Sequence, residues 1–313
     1  MNIITILKKL KSKLGETKEV SKLAILCVLP HKRKKREKVR TILWFGAYGN
    51  TNIGDNMVFF AIRKYLPKDV SILLSNRECH QNFDYGATIF YFYDKRNWLR
   101  LMKGSQIVLL GGGGLFEYYR MSSGSGWLLR YLEPLVYARH LGKSYAIVGV
   151  GCNNMVIRNS VIRYIFRKVS NDASFIITRD QKSREGFTKN GVDNQNLKFC
   201  FDPVFTYMPI EKEENRQLSK VVGFLVWPFY MWPHFHSVTD SIIIIRSRMT
   251  KESILAHDRF LKELRACVNR LEGKGIKCVF PVFHFSDIIL HRELGVRSEY
   301  NVPSFDDYLK TIS

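Results

Sequence analysis

The sequence has no long apolar run. A membrane-spanning helix needs about 20 consecutive apolar residues, and the longest candidates, Leu23–Pro30 and Ile242–Ile245, are far shorter. The N-terminus also lacks the uninterrupted apolar core and cleavage site of a secretory signal. These absences predict a cytoplasmic protein.

Closely spaced metal or disulfide ligands are also lacking. The six cysteines are far apart and form no CxxC pair, as expected for reduced thiols in the cytoplasm. His234 and His236 stand two residues apart, but no third ligand is near them in the sequence. We therefore predict neither a metal site nor a bound cofactor.

Acidic residues are scarce relative to basic ones. The chain has 28 Asp and Glu against 49 Lys and Arg, a formal net charge of +21. Residues 1–40 carry 13 Lys and Arg against 3 Glu, so the remaining residues carry +11. A basic body suits an anionic substrate such as a phosphate or a carboxylate. No nucleic-acid-binding motif is present, and we predict no nucleic-acid partner.

The basic N-terminus predicts a separate leader over residues 1–38. Apolar residues recur at three- and four-residue steps over 1–14, with lysines between them. The apolar run Leu23–Pro30 follows, and then the basic run HKRKKREKVR. An apolar stripe beside a polybasic run is typical of a helix on an anionic membrane face. The alternative is a partly disordered, solvated leader.

The rest of the chain alternates short apolar strands with amphipathic helices. This pattern predicts an α/β fold with parallel sheets covered on both faces. We expect an N-terminal Rossmann-like domain over 39–205 and a second one over 206–313. The second unit ends part-way through a helix-to-strand element, so we expect it to be incomplete. Predicted strands are 41–45, 70–75, 87–93, 107–110, 145–151, 175–180, 221–228 and 275–283; predicted helices are 56–66, 127–141, 156–170 and 253–272.

A Gly-rich loop, GAYGNTNIGD, follows the first predicted strand. Gly46, Gly49 and Gly54 allow tight turns and expose backbone N–H groups, and Asn52 can brace the loop. Asp55 is ill suited to phosphate, so it either accepts a proton or hydrogen bond from an acceptor hydroxyl or caps the next helix.

Four consecutive glycines, Gly111–Gly114, follow another predicted strand. Their entropic cost favours close approach of a ligand or of another backbone, with Gly112, Gly113 and Gly114 as binding candidates. Ligands of parallel sheets bind outside the carboxyl ends of the strands, where both glycine motifs are expected.

Polar side chains follow three later strands. Arg179 can bind a carboxylate or phosphate in a bidentate manner, with Asp180 beside it. Alternatively, the two form a surface pair, or Asp180 caps the next helix. Asp202 is either a functional group or a turn cap. His284 is either an acid, base or phosphate ligand, or a loop histidine.

Five motifs in order resemble the polysaccharide pyruvyl transferase family: GAYGNTNIGD, IVLLGGGGLF, VGVG, ITRDQKSREGFTKNGV and DPVF. The resemblance covers roughly residues 41–313. It implies a GT-B-like fold of two Rossmann-like domains. It also implies transfer of an enolpyruvyl-derived group from phosphoenolpyruvate to a sugar hydroxyl pair, in synthesis of a bacterial surface polysaccharide or cell-wall polymer. The acceptor would be a saccharide or a lipid-linked glycan.

The resemblance also implies that Arg179 would bind the phosphate or carboxylate of the donor. The reaction further needs a base at the attacking hydroxyl and an acid at the enol methylene. Asp55 is the candidate base, and the acid is either His284 or a group of the C-terminal segment that we expect to be missing. The family's Arg-x-His donor element is expected beyond Ser313. Two alternatives stay open: a GT-B glycosyltransferase that uses a nucleotide sugar, and a non-catalytic homologue in polysaccharide assembly.

Overall fold

The computed structural model describes residues 17–30, 38–49, 52–77, 85–116, 125–152, 156–206, 220–224, 226, 230–231, 234, 241–282, 285–296 and 300–301. The chain divides into two compact units. One comprises Met1–Asn50 with Gly54–Met208, and the other comprises Pro209–Ser313 with Thr51–Ile53. The domain limits at 39–205 and 206–313 stay a prediction.

The first unit is built on a seven-stranded sheet in which every strand pairs in parallel with its neighbours. The strand order is β3-β2-β1-β4-β5-β6-β7. Such a sheet is expected when apolar strands alternate with crossover helices. The strands are β1 (Thr41–Phe45), β2 (Ser71–Asn76), β3 (Thr88–Tyr91), β4 (Ile107–Phe116), β5 (Ser144–Cys152), β6 (Ile176–Thr178) and β7 (Leu197–Phe199).

Helices cover both faces of this sheet. Alternate residues of β1 enter two different cores: Leu43 and Phe45 join one buried cluster, and Ile42 and Trp44 join the other. The predicted α/β class, with a Rossmann-like parallel sheet, is therefore confirmed. The covering helices are α2 (Ile53–Arg63), α3 (Lys95–Gly104), α4 (Ser125–His140), α5 (Ser160–Asn171) and α6 (Gln181–Lys189).

An additional helix, α1 (residues 17–28), precedes the sheet and packs on it. Val20, Leu23 and Cys27 recur at three- and four-residue steps and are buried in the larger core cluster. Residues 17–28 are thus part of the folded body rather than of a detached leader. The predicted helix over 1–14 and the basic residues 31–37 lie outside the described residues.

Polar contacts hold both ends of α1. Lys95 pairs with Glu19, 3.0 Å away, and also with Glu133 on α4. At the other end the buried Arg139 donates to the carbonyls of Leu26 and Leu29, each at 3.3 Å. A cation at these carbonyls also complements the helix dipole.

The second unit has a core of its own, centred on Ile245, Leu261, Phe280 and Leu290. Its helices are α7 (Ile242–Arg248), α8 (Lys251–Glu272) and α9 (Phe285–Leu294). Its strands form two parallel pairs, β8 (Val221–Gly223) with β9 (Lys277–Val279), and β10 (Pro281–Val282) with β11 (Tyr300–Asn301). The strand predicted over 275–283 is thus two short strands in different sheets. Among the described residues, no helix is long and apolar enough to cross a membrane.

Candidate active site

The register of the sheet brings the two glycine motifs together. β1 and β4 are neighbours, with Phe45 opposite Leu110, so Gly46 and Gly111 continue from adjacent positions. A Cβ added at Gly46 would overlap the carbonyl oxygen of Gly111. The buried Tyr48 hydroxyl donates a hydrogen bond to that same oxygen. The loop after β1 is therefore fastened directly to the glycine run of β4.

The glycines at 111–114 lie within a strand rather than after one. β4 continues to Phe116, and Gly111 and Gly113 still pair with Val148 and Val150 of β5. Gly112 and Gly113 have φ angles of +86° and +85°, in the left-handed region that glycine tolerates. The strand prediction was too short because paired glycine backbone leaves no apolar pattern to detect.

Asp55 lies against this glycine run. It belongs to the first turn of α2, and Gly54 is helical too, so of the two alternatives the structure does not realise the one in which Asp55 caps the helix. A Cβ added at Gly113 would overlap Oδ1 of Asp55. The missing side chain at Gly113 thus makes room for the carboxylate, and the two glycine motifs are in direct contact.

A buried polar group supports the loop from the other side. The side-chain oxygen of Asn56 accepts from the Tyr85 hydroxyl at 3.0 Å and from the Gly49 N–H at 3.4 Å. The Asn76 side chain fills the space where a Cβ at Gly49 would lie. Sequence reasoning missed Tyr48, Asn56, Asn76 and Tyr85. Asn76 could have been identified from its position at the end of β2, whereas no local sequence pattern marks Tyr85.

The two supporting tyrosines are held in the protonated state. Burial raises the pKa of Tyr48 well above its usual range, and the nearby Asp55 charge raises it further. Burial likewise raises the pKa of Tyr85 to about 12. Both phenols are therefore fixed hydrogen-bond groups at neutral pH and do not act as bases.

Arg179 stands at the end of β6, two strands along from β4. Its backbone N–H donates to Val150 at 3.0 Å. Its guanidinium lies over Gly151, where an added Cβ would be 2.8 Å from Nε. The carboxylates of Asp180 and Asp202 are 3.9 and 4.0 Å from guanidinium nitrogens, which makes both pairs long.

Each of these aspartates has a backbone partner. Asp180 is the N-cap of α6 and accepts from the Ser183 N–H at 2.6 Å. Asp202 accepts from the Val204 N–H at 3.1 Å, at the start of the 3-10 turn Pro203–Thr206. The capping alternatives are therefore realised at both positions, and Arg179 is the residue of this group best suited to a ligand.

The remaining predicted site residues fall in different places. Asn52 directly precedes α2, Gly114 is in β4, and His284 lies outside the described residues. Among the residues that the structure describes, no three His, Cys, Asp or Glu side chains are grouped to hold a metal ion.

The model of the family described as "Polysaccharide pyruvyl transferase" matches residues 52–313, more than half of the chain. No curated protein matches the sequence.

Three solved structures are similar over most of the chain. A protein assigned as a UDP-N-acetylglucosamine 2-epimerase from Listeria monocytogenes has 10% identity and a TM-score of 0.43, covering 85% of this chain and 68% of that one. An α-glucosyltransferase in complex with UDP and DNA has 11% identity and a TM-score of 0.37, covering 82% and 60%. The UDP-N-acetylglucosamine 2-epimerase from Rickettsia bellii has 12% identity and a TM-score of 0.37, covering 87% and 71%. None of these similarities bears on the chemistry of this chain.

Proposed function

Because this chain belongs to the polysaccharide pyruvyl transferase family, we propose that it transfers a pyruvyl group from phosphoenolpyruvate to a pair of sugar hydroxyls. The product is a pyruvate ketal on a bacterial surface polysaccharide or cell-wall glycopolymer, and the acceptor is a saccharide or lipid-linked glycan. The observation that supports this proposal is the Asp55 carboxylate held against Gly113. It lies at the same carboxyl edge of the sheet as Arg179, the edge where parallel sheets bind ligands.

The reaction needs a base, an acid and a cation. One sugar oxygen attacks C2 of the donor as C3 is protonated to a methyl group, and the second sugar oxygen then displaces phosphate from C2. Of the two hydroxyl protons, one balances the proton gained at C3 and the other leaves with the phosphate. We assign the base to Asp55 and the acid to His284.

Arg179 takes the cationic role. Its guanidinium is about two-thirds buried, and its carboxylate neighbours are at 3.9 and 4.0 Å. A phosphate or carboxylate of the donor would accept shorter, bidentate hydrogen bonds from it. A fixed cation at the departing phosphate lowers the barrier because negative charge accumulates there. No metal or separate cofactor is part of this proposal.

The experiment that tests the function follows an isotope. The protein is incubated with acceptor glycan and either 14C-phosphoenolpyruvate or 14C-labelled UDP-sugars. We expect label from phosphoenolpyruvate in the glycan together with one equivalent of phosphate. Label entering only from the UDP-sugars would replace the proposal with the glycosyltransferase alternative. No thermal stabilisation by millimolar phosphoenolpyruvate would favour the non-catalytic homologue.

Asp55→Asn tests the assignment of the base. Loss of a general base lowers the rate by about 100-fold or more, while the similar size of Asn leaves the packing against Gly113 intact. Asp69→Asn, an exposed substitution in the same unit, serves as the matched control. An Asp55→Asn protein that keeps the control's rate of ketal formation would remove Asp55 from the mechanism.

The chain is also proposed to work at the inner face of the plasma membrane. The outer surface of α1 exposes Lys18 and Lys22, followed by Ile25 and Val28. The sequence continues with the polybasic run at 31–36. Exposed apolar side chains beside lysines match an anionic bilayer. This location suits a lipid-linked acceptor.

A further inference from the structure

A second cluster of functional side chains forms where β2 and β3 end. Asn76 pairs with Tyr91, and the Phe92 N–H donates to the Asn76 carbonyl at 2.8 Å. This register places Arg77 level with Phe92, one residue before Tyr93. Nε and Nη2 of Arg77 donate to the Tyr93 hydroxyl at 3.3 and 3.1 Å.

Arg130, in the second turn of α4, joins this cluster. Its Nη1 donates to the same Tyr93 oxygen at 3.4 Å, and its guanidinium carbon lies 5.5 Å from the centre of the Tyr93 ring. Two guanidinium groups thus converge on one phenol oxygen. A phosphate or carboxylate at this point would accept charge-assisted hydrogen bonds from both guanidinium groups.

Exposed aromatic surface adjoins the two charges. Tyr91 and Tyr93 are 42% and 44% exposed, and their rings meet edge to face at 5.4 Å. Packing in the core does not account for these tyrosines, because both rings are partly exposed to solvent and lie next to cationic groups. A ligand that combines an apolar ring face with a negative charge matches this surface.

The cluster borders the Asp55 site. Tyr131 is buried directly after Arg130, and its ring lies 5.7 Å from that of Phe92. Burial raises its pKa; the Arg77 charge opposes that shift, and the Asp55 charge adds to it. Tyr131 is therefore within electrostatic reach of both Arg77 and Asp55. The Arg77 N–H also donates to the Tyr48 carbonyl at 3.1 Å, so the cluster adjoins the loop that leads from β1 to Asp55.

We propose that Arg77, Arg130, Tyr91 and Tyr93 form a subsite for an acidic saccharide acceptor. The two guanidinium groups bind a phosphate or carboxylate of the acceptor, and the tyrosine rings pack against the adjoining sugar ring. The inference rests on the proposed transferase function, because it assigns to this edge the substrate whose hydroxyl Asp55 would deprotonate. It adds that the acceptor carries negative charge close to the hydroxyls that are modified.

Saturation-transfer NMR on the full chain tests this subsite with three probes: glucose 1-phosphate, glucuronate and glucose. We expect saturation of the sugar protons for the two acids and much weaker transfer to glucose. Arg77→Gln combined with Arg130→Gln should weaken binding of both acids by at least about tenfold, since hydrogen bonds to charged groups exceed neutral ones. Tyr91→Ala should reduce sugar-proton saturation while inorganic phosphate still binds.

The matched control removes two arginines from elsewhere in the same unit. Arg100 on α3 and Arg167 on α5 are exposed, so Arg100→Gln with Arg167→Gln loses the same charge away from the cluster. Equal acid binding in the two double variants would overturn the subsite, and so would glucose binding as tightly as glucose 1-phosphate. Thermal unfolding of each variant verifies that the fold is retained.

Thermal stabilisation by phosphoenolpyruvate distinguishes a failure of this inference from a failure of the proposed function. If the Arg77 and Arg130 double variant loses stabilisation by phosphoenolpyruvate but still binds glucose 1-phosphate, the cluster is a donor site and the inference fails. If phosphoenolpyruvate never stabilises the protein while acid binding depends on both arginines, the subsite stands and the pyruvyl donor is wrong.

Discussion

Single side chains of the first unit occupy volumes that glycines leave vacant. Asp55 lies on Gly113 and the Arg179 guanidinium lies on Gly151, and in both cases the partner residues belong to different elements. The glycines of this site therefore have two roles. They leave volume for a neighbouring side chain, and they tolerate backbone angles that other residues avoid. Gly113 has both roles, because it leaves room for Asp55 and has a φ of +85°.

Gly113→Ala should consequently lower the free energy of unfolding by more than backbone strain alone would. An L-residue in the left-handed region costs about 1–2 kcal/mol, and the new methyl group would also displace the Asp55 carboxylate. We expect a larger loss of unfolding free energy than that and a loss of ketal-forming activity. Chemical denaturation and the isotope assay measure the two effects.

Gly86→Ala is the matched control for this substitution. Gly86 has a φ of +56°, but nothing lies within 4 Å of its added Cβ, so it isolates the backbone term. If Gly113→Ala matches Gly86→Ala in stability and keeps its activity, the contact between Asp55 and Gly113 contributes nothing to activity.

The Asp172 carboxylate makes stability depend on pH. Burial alone would raise its pKa, but the hydrogen bond from Arg139 and the charges of Lys168 and Arg139 outweigh burial, so the pKa is lowered. A lowered pKa in the folded state stabilises the protein above the unfolded value of about 3.9, and this contribution is lost as the pH falls through the folded value.

Asp172→Asn should therefore destabilise the protein at pH 7 by about 1–2 kcal/mol, less than for a fully buried ion pair, because the Asp172 carboxylate is partly exposed. The difference from the wild type should shrink as the pH falls below about 3.9 and through the lowered pKa of the folded carboxylate. Denaturant titrations across this pH range measure it. Asp193→Asn, an exposed substitution, should show no such trend, and a pH-independent difference for Asp172→Asn would contradict the mechanism.

At the scale of elements, α1 has two faces with different roles. Leu23 is fully buried in the core, whereas Ile25, two residues later, is 61% exposed. We expect Leu23→Ala to lower the free energy of unfolding by about 3 kcal/mol and Ile25→Ala to leave it nearly unchanged. Equal effects in denaturant titrations would show that α1 does not pack as described.

The same helix shows what the sequence could and could not predict. Apolar strands identified β1, β5 and the parallel sheet because their burial on both faces leaves continuous apolar runs. The packing of α1 was missed because its apolar residues precede a basic run, which favours a leader. Its anchor, Arg139, is more than 100 residues away from Leu26 and Leu29. Only tertiary structure brings such partners together.

The site was predicted in the same uneven way. Strand-end glycines and Asp55 are local patterns, and the sequence indicated both. Tyr48 and Asn76 contribute through the pairing of β1 with β2 and β4, whose register no local pattern specifies. The Arg77–Tyr93–Arg130 cluster draws on two strand ends and a helix, so it was not predicted at all.

At the scale of the whole molecule, the charge is concentrated at one end of the sequence. The first 40 residues hold +10 of the net +21, and within them α1 packs into the larger core cluster of the first unit. A basic segment anchored in this way would hold the first unit against an anionic bilayer rather than tether it loosely.

Vesicle sedimentation tests this attachment. We expect the full chain to bind phosphatidylglycerol vesicles and to be released by salt. Lys18→Gln with Ile25→Asp should weaken binding by about tenfold, since one lysine near the surface contributes about 1 kcal/mol and the buried apolar side chain adds to it. Lys64→Gln with Tyr65→Asp alters two exposed residues just after α2 in the same way. Equal losses in the two double variants would contradict a docking role for α1.

The three glycines that yield their side-chain volume to Asn76, Asp55 and Arg179 couple distant parts of the sequence. Each such pair is a joint requirement, because a larger residue at Gly49, Gly113 or Gly151 is compatible only with a shorter or displaced partner. Mutant libraries that vary one position at a time would therefore contain only defective variants with a larger residue at these glycines. New specificities at this edge would have to arise from paired substitutions that exchange volume between a glycine and its partner.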